Sequence, residues 1–406
     1  MINRPLYLDK ITPFIDRDLI KILVGIRRAG KSTILSEVAD TIKRNGVAEQ
    51  SIAQINFDSL DYSDIRDKQS FLALVKSLHA SGIKYYFFDE VQLVNGWDEV
   101  VSALYAEKNA DIYISGSNSK LLSSELSTFL TGRYVNTRVH TLNFSEFLDF
   151  AGTRGVSYES TTAAFDDYLH RGGFPIVNVA DTSYAESDQV ISDIYSSIVL
   201  RDIVQRKSIR NTELLSRIVK FVFDNIGNVF SANSITNFLK NEKRDLAPET
   251  IYNYLDYLAE AFVISRVPRY DLRGKAHLKT QEKYYLGDIG LLYAVNGRSN
   301  FQSYLPGLLE NVVYRELVSH GFEVFIGKNG DQEIDFIAKK PDRTLYLQVA
   351  THLDGAQTIA REFDAFDGLP DDTAERYVLS LDHATLPAKH RATHQYLPDF
   401  ILTNLS

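Results

Sequence analysis

Ile22-Leu23-Val24-Gly25-Ile26-Arg27-Arg28-Ala29-Gly30-Lys31-Ser32-Thr33 is the stretch that decides how this chain folds. An apolar run ends at Val24, and a helix-forming run opens at Lys31 and continues through Ala39. Between them lies G-x-x-x-x-G-K-[ST], in the strand–loop–helix context that this motif requires. Gly25 and Gly30 allow backbone angles closed to residues with a Cβ, so consecutive N–H groups can turn toward one anion. The helix start adds free donors and the positive end of its dipole. Phosphates are therefore expected on Gly25, Ile26, Arg27, Arg28, Ala29, Gly30, Lys31, Ser32 and Thr33. Lys31 is expected to reach the outer phosphates, and the Ser32 hydroxyl to sit on Mg²⁺. The expected ligands are ATP and Mg²⁺.

Working outward, Ile83-Lys84-Tyr85-Tyr86-Phe87-Phe88-Asp89-Glu90 is an aromatic, β-prone run ending in two carboxylates. A central parallel strand whose C-terminal end carries chemistry has this form. Asp89 is expected to hold Mg²⁺, and Glu90 to orient the attacking water, a role worth ~10²–10⁴-fold in rate. Asp111–Gly116 is a third strand running into small polar residues, which sets Ser117 and Asn118 beside the Asp89 strand end. Asn118 is a candidate sensor of phosphate and water, and equally a turn residue before a helix starting near Ser119.

At 406 residues the chain has room for two or three domains. Its hydrophobic share of 44% and charged share of 24% are those of a water-soluble globular protein. No apolar stretch is long enough to span a bilayer, and Arg4, Asp9 and Lys10 break any secretion signal. The absence of cysteine removes disulfides and thiolate chemistry and suits a cytoplasmic setting. A net charge of -9 excludes a protein that is basic throughout, though not a local basic face.

Residues 1–150 alternate strands (Leu19–Gly25, Ser51–Phe57, Ile83–Phe88, Asp111–Gly116, Tyr134–Leu142) with helices (Lys31–Lys43, Gln69–Ser81, Asp98–Glu107, Ser119–Leu126). The expected fold class is α/β, a parallel sheet with helices on both faces and its site at the strand C-termini. Residues 151–230 read as a helical lid and linker, in which Gly172-Gly173-Phe174-Pro175, ahead of the helix Ser192–Val204, is a hinge between the sheet and the lid. Residues 231–290 read as a winged helix. Its segment Arg266 to Lys283 holds six basic residues (Arg266, Arg269, Arg273, Lys275, Lys279, Lys283) against Asp271 and Glu282. Such a wing can track the phosphates of DNA or RNA, or can be a solvated hairpin on a protein-contact domain; both readings stay open.

Residues 291–406 place Glu310 on a helix, Asp335 on a strand and Gln348 on the next. The order resembles the restriction-endonuclease-like fold, in which a helix Glu, a strand Asp and a Glu-x-Lys hold Mg²⁺ and activate water. Here Gln348 replaces the second acid and Ala350 the lysine, with Lys328 and His352 as candidate replacements, so the domain is expected to be degenerate.

With these motifs in place, the chain resembles bacterial and archaeal AAA-type (AAA+) ATPases that carry a C-terminal nuclease-shaped domain of unknown function. The resemblance rests on Gly25–Ser32, Asp89-Glu90-Val91-Gln92, Gly116-Ser117-Asn118-Ser119 and Thr131-Gly132-Arg133-Tyr134. It continues through Leu142–Phe147, Gly172–Pro175, Arg201–Val204, Lys283–Leu291, Glu310-Asn311 and Glu333–Phe336. It implies ATP hydrolysis, with Lys31, Glu90, Asn118 and Arg133 as the candidate catalytic set. Arg133 precedes the last strand of the sheet, where related ATPases present an arginine to the γ-phosphate, worth ~10³–10⁵-fold. Acting on a neighbour's nucleotide, it would require a homo-oligomer; pairing with Glu125 or Glu146 would make it structural; Arg201 is its rival. Two functions stay open: an ATP-driven enzyme acting on nucleic acid, and a nucleotide-gated switch for protein partners.

Overall fold

In the computed structural model the described residues are 3–122, 132–180, 182–241, 248–272, 274, 276–369, 373–384 and 386–405. The expected helix Ser119–Leu126 is described only to Leu122, and Arg273 and Lys275 of the wing lie outside the described residues. The chain forms two compact units, residues 1–141 with 260–262, and residues 142–259 with 263–406.

The first unit is built on β1 (Ile20–Val24), β2 (Ile52–Asn56), β3 (Tyr85–Asp89), β4 (Asp111–Gly116) and β5 (Tyr134–Arg138). All pair in parallel, in the order β2-β3-β4-β1-β5, so β4 separates the loop strand from the strand carrying Asp89. Every residue of β1, β3 and β4 is buried, as strands covered on both faces must be. Even Lys21 is buried, paired with Asp111 and donating to the Arg17 carbonyl at 3.1 Å. Helices Lys31–Arg44, Lys68–Ala80 and Trp97–Ala106 form within a residue or two of their expected bounds. The last strand stops at Arg138 rather than Leu142, because pairing with β1 ends where Val24 faces Arg138. A helix the sequence reading omitted, Pro5–Ile11, starts on a proline.

The second unit carries one eight-stranded sheet. Its strands are β6 (Val229–Phe230), β7 (Ile264–Asp271), β8 (Ala276–Leu286), β9 (Glu323–Asn329), β10 (Gln332–Lys340), β11 (Arg343–Val349), β12 (Glu375–Ser380) and β13 (Ala392–Tyr396). Their order is β13-β12-β11-β10-β9-β7-β8-β6. Helices Ala232–Asn241 and Pro248–Glu260 precede the β7–β8 hairpin, the order of a winged helix. The hairpin does not stand alone: β7 runs parallel to β9 from Arg269 opposite Ile326 to Asp271 opposite Lys328. Wing and last block thus share one sheet.

The Gly172–Pro175 stretch is a packed joint within this unit rather than a free hinge. The buried Asp288 carboxylate accepts the Gly173 N–H at 2.9 Å and the Gly290 N–H at 2.8 Å, and pairs with Arg315 at 3.1 Å. A Cβ on Gly172, which has φ 72°, would stand 2.5 Å from an oxygen of Asp288. The glycines are there because a carboxylate needs their space.

Candidate functional site

β1 ends at Val24 and the chain turns sharply. A Cβ on Gly25 would stand 2.0 Å from the Val139 carbonyl oxygen, so nothing larger than glycine fits. Gly30, at φ 95°, starts the helix Lys31–Arg44. Lys31 is buried, and its Nζ donates to the Gly25 and Ile26 carbonyls at 3.0 and 3.1 Å. It stands 3.9 Å from Glu90 Oε1. The loop is braced from outside by Arg4, 2% exposed, whose guanidinium donates to the Ala29 carbonyl at 2.8 Å. Arg27 meets Asp58 at 3.2 Å, and Arg28 is left-handed at φ 67°.

Opposite the loop, Asp89 is 7% exposed and accepts the hydroxyl of Ser115. Burial pushes its carboxyl above the ordinary range, Glu90 adds to this, and Ser115, Ser32 and Lys31 oppose it. Glu90 is in the left-handed region at φ 54°. A non-glycine residue held there costs ~1–3 kcal/mol, strain that clusters at functional sites. Its side chain is fixed by Gln92 Nε2 and by the Ser117 hydroxyl at 3.3 Å. Gly116 leaves room for this arrangement, since a Cβ there would stand 2.3 Å from Gln92 Oε1. Asn118 is buried just past the end of β4. Lys31, Ser32, Asp89, Glu90 and Asn118 therefore gather at the C-terminal ends of β1, β3 and β4. Ser115 and Gln92, which hold the two acids, were not singled out.

Arg133 does not join them. β5 runs parallel to β1 with Ile20 opposite Tyr134, and the Arg133 carbonyl accepts the Ile20 N–H at 2.9 Å. Arg133 thus lies at the entry end of the sheet, roughly 16 Å from the loop end at ~3.3 Å per residue. Its exposed guanidinium lies 5.6 Å from the Tyr105 ring centre. The expectation that it lies beside its own chain's γ-phosphate is corrected. The arginine at the loop end of this strand is Arg138, opposite Val24, a position the sequence reading passed over. Arg201, its former rival, is exposed on a stretch of π-helix, Ile198–Gln205, in the second unit.

The second unit holds another cluster of charge. Glu310 (helix Phe301–Ser319), Glu333 and Asp335 (β10), Gln348 (β11) and Glu362 (helix Gly355–Asp364) line a cavity of about 530 Å³. A bulge between Ile334 and Ile337 interrupts β10 at Asp335. At the centre is Lys283, from β8 of the wing: its Nζ lies 3.0 Å from Glu310, 2.9 Å from Glu333 and 3.2 Å from Asp335. Burial works against its charge, but Asp335, Glu310 and Glu333 together hold it well above the ordinary lysine range. Gln348 takes the Asp335 N–H at 2.7 Å and donates to Glu362 at 3.0 Å. Of the lysine replacements the sequence reading named, His352 instead meets Asp382 at 2.9 Å. By sequence Lys283 is one of the six basic residues of the wing segment. Its one sequence signal is a lysine set directly before the apolar run Tyr284-Tyr285-Leu286.

Two further wing cations are paired with acids. Arg266 meets Asp256 at 2.6 Å and Glu282 at 3.2 Å, and Arg269 meets Glu333 at 3.5 Å. Among the described residues no helix is long and apolar enough to cross a membrane.

Residues 17–148 match the AAA domain family, and residues 162–302 match a domain of unknown function, DUF8612. An uncharacterized protein of Haemophilus influenzae is 39% identical over 354 residues, 86% of this chain and 87% of that one. An uncharacterized protein of Methanocaldococcus jannaschii is 30% identical over 362 residues, 86% of this chain and 78% of that one. Among solved structures, a Walker-type ATPase of Pyrococcus abyssi aligns with 73% of this chain and 96% of its own, at 13% identity and TM-score 0.49. The chain belongs to one family with the Haemophilus and Methanocaldococcus proteins, and its first unit is an AAA domain of the ATP-binding, P-loop type.

Proposed function

We propose that this family member hydrolyses ATP at the ends of β1, β3 and β4, and uses nucleotide state as a switch for protein partners. One observation carries the hydrolysis: Lys31 and Glu90 stand 3.9 Å apart at the mouth of the loop, where Ser32 follows Lys31 on the helix and Asp89 precedes Glu90 at the end of β3. The N–H groups of the loop and of the first helical turn bind the phosphates, and Lys31 leaves its two carbonyls for the outer ones. Ser32 and Asp89 offer the hard oxygen donors that suit Mg²⁺, which when bound neutralises phosphate charge. Glu90, held by Gln92 and Ser117, orients the water and takes its proton. Asn118 is placed to register the γ-phosphate and the water.

Lys31→Ala is expected to abolish nucleotide retention. Glu90→Gln is expected to keep ATP bound while turnover falls by ~10²–10⁴-fold. Unchanged phosphate release in both variants removes the site from the reaction.

The preference for protein partners over nucleic acid rests on the wing. Arg266, Arg269 and Lys283 are each committed to carboxylates, which leaves less free positive charge for a phosphate backbone than the sequence promised. The measurement is ATP turnover with and without DNA or RNA at two salt concentrations. Indifference supports the switch. Stimulation that weakens as salt rises restores the nucleic-acid reading.

A further inference from the structure

The strand and helix order around Glu310, Asp335 and Gln348 resembles a nuclease core, which would use Mg²⁺ at this cavity. The donor set does not fit a divalent ion. Both oxygens of Asp335 are engaged, one by Lys283 at 3.2 Å and the other by the Val349 N–H at 2.9 Å. One oxygen of Glu310 takes both Lys283 Nζ at 3.0 Å and the Tyr285 hydroxyl at 2.7 Å. Gln348, standing where a second acid would, brings no charge, and its two polar atoms are already used by the Asp335 N–H and Glu362. Among the described residues no group of three or more His, Cys, Asp or Glu is arranged to hold a metal ion.

We propose that the Lys283 ammonium is the resident cation of this site: a positive charge built into the wing strand stands where a nuclease-like cavity would hold its metal. The buried ammonium, with the acidic groups of Glu310, Glu333 and Asp335 at 2.9 to 3.2 Å, supplies positive charge where a divalent ion would otherwise supply it. A lysine gives three donors and no open coordination position, so it closes the cavity to hard cations instead of activating water. The same contact ties the wing hairpin to the last block of the sheet through a side chain, since Lys283 lies on β8 while Glu333 and Asp335 lie on β10. This is independent of the ATP site, because none of its residues belongs to the first unit.

The test is Mn²⁺ binding to nucleotide-free full-length protein, counted by the loss of free-ion paramagnetic signal. Six chains are compared: wild type, Lys283→Arg and Lys283→Gln, each with and without Asp335→Asn. The expected result is no Asp335-dependent Mn²⁺ in wild type or Lys283→Arg, and one Mn²⁺ gained in Lys283→Gln that Asp335→Asn removes. Wild-type protein that takes up an Asp335-dependent Mn²⁺ overturns the proposal, and so does Mn²⁺-dependent cleavage of DNA that Lys283→Gln abolishes. In that case Lys283 is a nuclease lysine working beside a metal. The wild-type arm decides even if Lys283→Gln fails to fold. A folded Lys283→Gln that binds no Mn²⁺ also overturns it.

Discussion

Two lysines sit at the centres of the two units, and the company each keeps separates their roles. Lys31 donates to two loop carbonyls and has one carboxylate, Glu90, 3.9 Å away, at the start of the helix where a phosphate would dock. Lys283 is held by three carboxylates, so its charge is spent within the chain. Glycine spacing points to the first as a phosphate-loop lysine, while no spacing motif marks the second, whose partners Glu310 and Asp335 lie 27 and 52 residues away. The arginines divide in the same way. Arg133 stands at the entry end of β5, and Arg138 at the end opposite Val24. In dilute protein, Arg133→Ala is therefore expected to leave ATP turnover within about twofold of wild type. Arg138→Ala is expected to lower it by ~10²-fold or more with nucleotide still retained, as loss of a charge-stabilising guanidinium does. Steady-state phosphate release across a range of protein concentrations checks both. A loss in Arg133→Ala that grows as concentration rises would place Arg133 in a neighbouring copy's site, which the position at the sheet's open end allows.

At the scale of elements, the joint at Gly172–Pro175 is held by charge. Asp288 and Arg315 are both buried, and the Asp288 carboxylate also collects the N–H groups of Gly173 and Gly290. Asp288→Asn keeps one of the two oxygen acceptors, sets an amide NH2 against a donor at the other, and removes the negative charge beside Arg315. The expected cost is ~3–5 kcal/mol of stability in the second unit. Denaturant midpoints give the value, and a fall under about 1 kcal/mol would mean that water reaches Arg315 and the pair is not the joint's main tie. The five parallel strands and the helices between them were legible in the sequence to within a few residues, because hydrophobic period and glycine placement are local signals. The joint was legible only as a turn, since Gly173 meets a carboxylate 115 residues further along. The merging of wing and last block into one sheet left no local mark either: β7 pairs β9 over three residues, and register of that kind is decided by tertiary packing.

At the scale of the whole molecule, two compact units imply two separately adjustable transitions on heating. ATP with Mg²⁺ should raise only the transition of the unit that holds Lys31, by about 2.7 kcal/mol when nucleotide is 100-fold above its dissociation constant. Lys31→Ala should erase that rise. Acidity should move the other transition. Glu316 is 1% exposed and accepts the Phe144 N–H at 2.7 Å. Burial pushes its carboxyl up from 4.5 to about 7, only partly opposed by that hydrogen bond and by Arg315. A folded-state value above the unfolded one means that the folded unit holds the proton more tightly. This contribution is complete below pH 4.5 and is lost as pH rises through about 7, a difference on the order of 3 kcal/mol. The second transition should therefore fall between pH 5 and 8. Glu316→Gln, which keeps an oxygen for the Phe144 N–H, should remove much of that slope and match or exceed wild type at pH 8. Burial and Asp335 push Glu310 in the same direction, opposed by Lys283 and the Tyr285 hydroxyl. Scanning calorimetry of wild type and the two variants, with and without nucleotide across this range, tests the scheme. A single transition that pH and ATP shift together would show that the units melt as one body, and an undiminished slope in Glu316→Gln would assign the proton elsewhere.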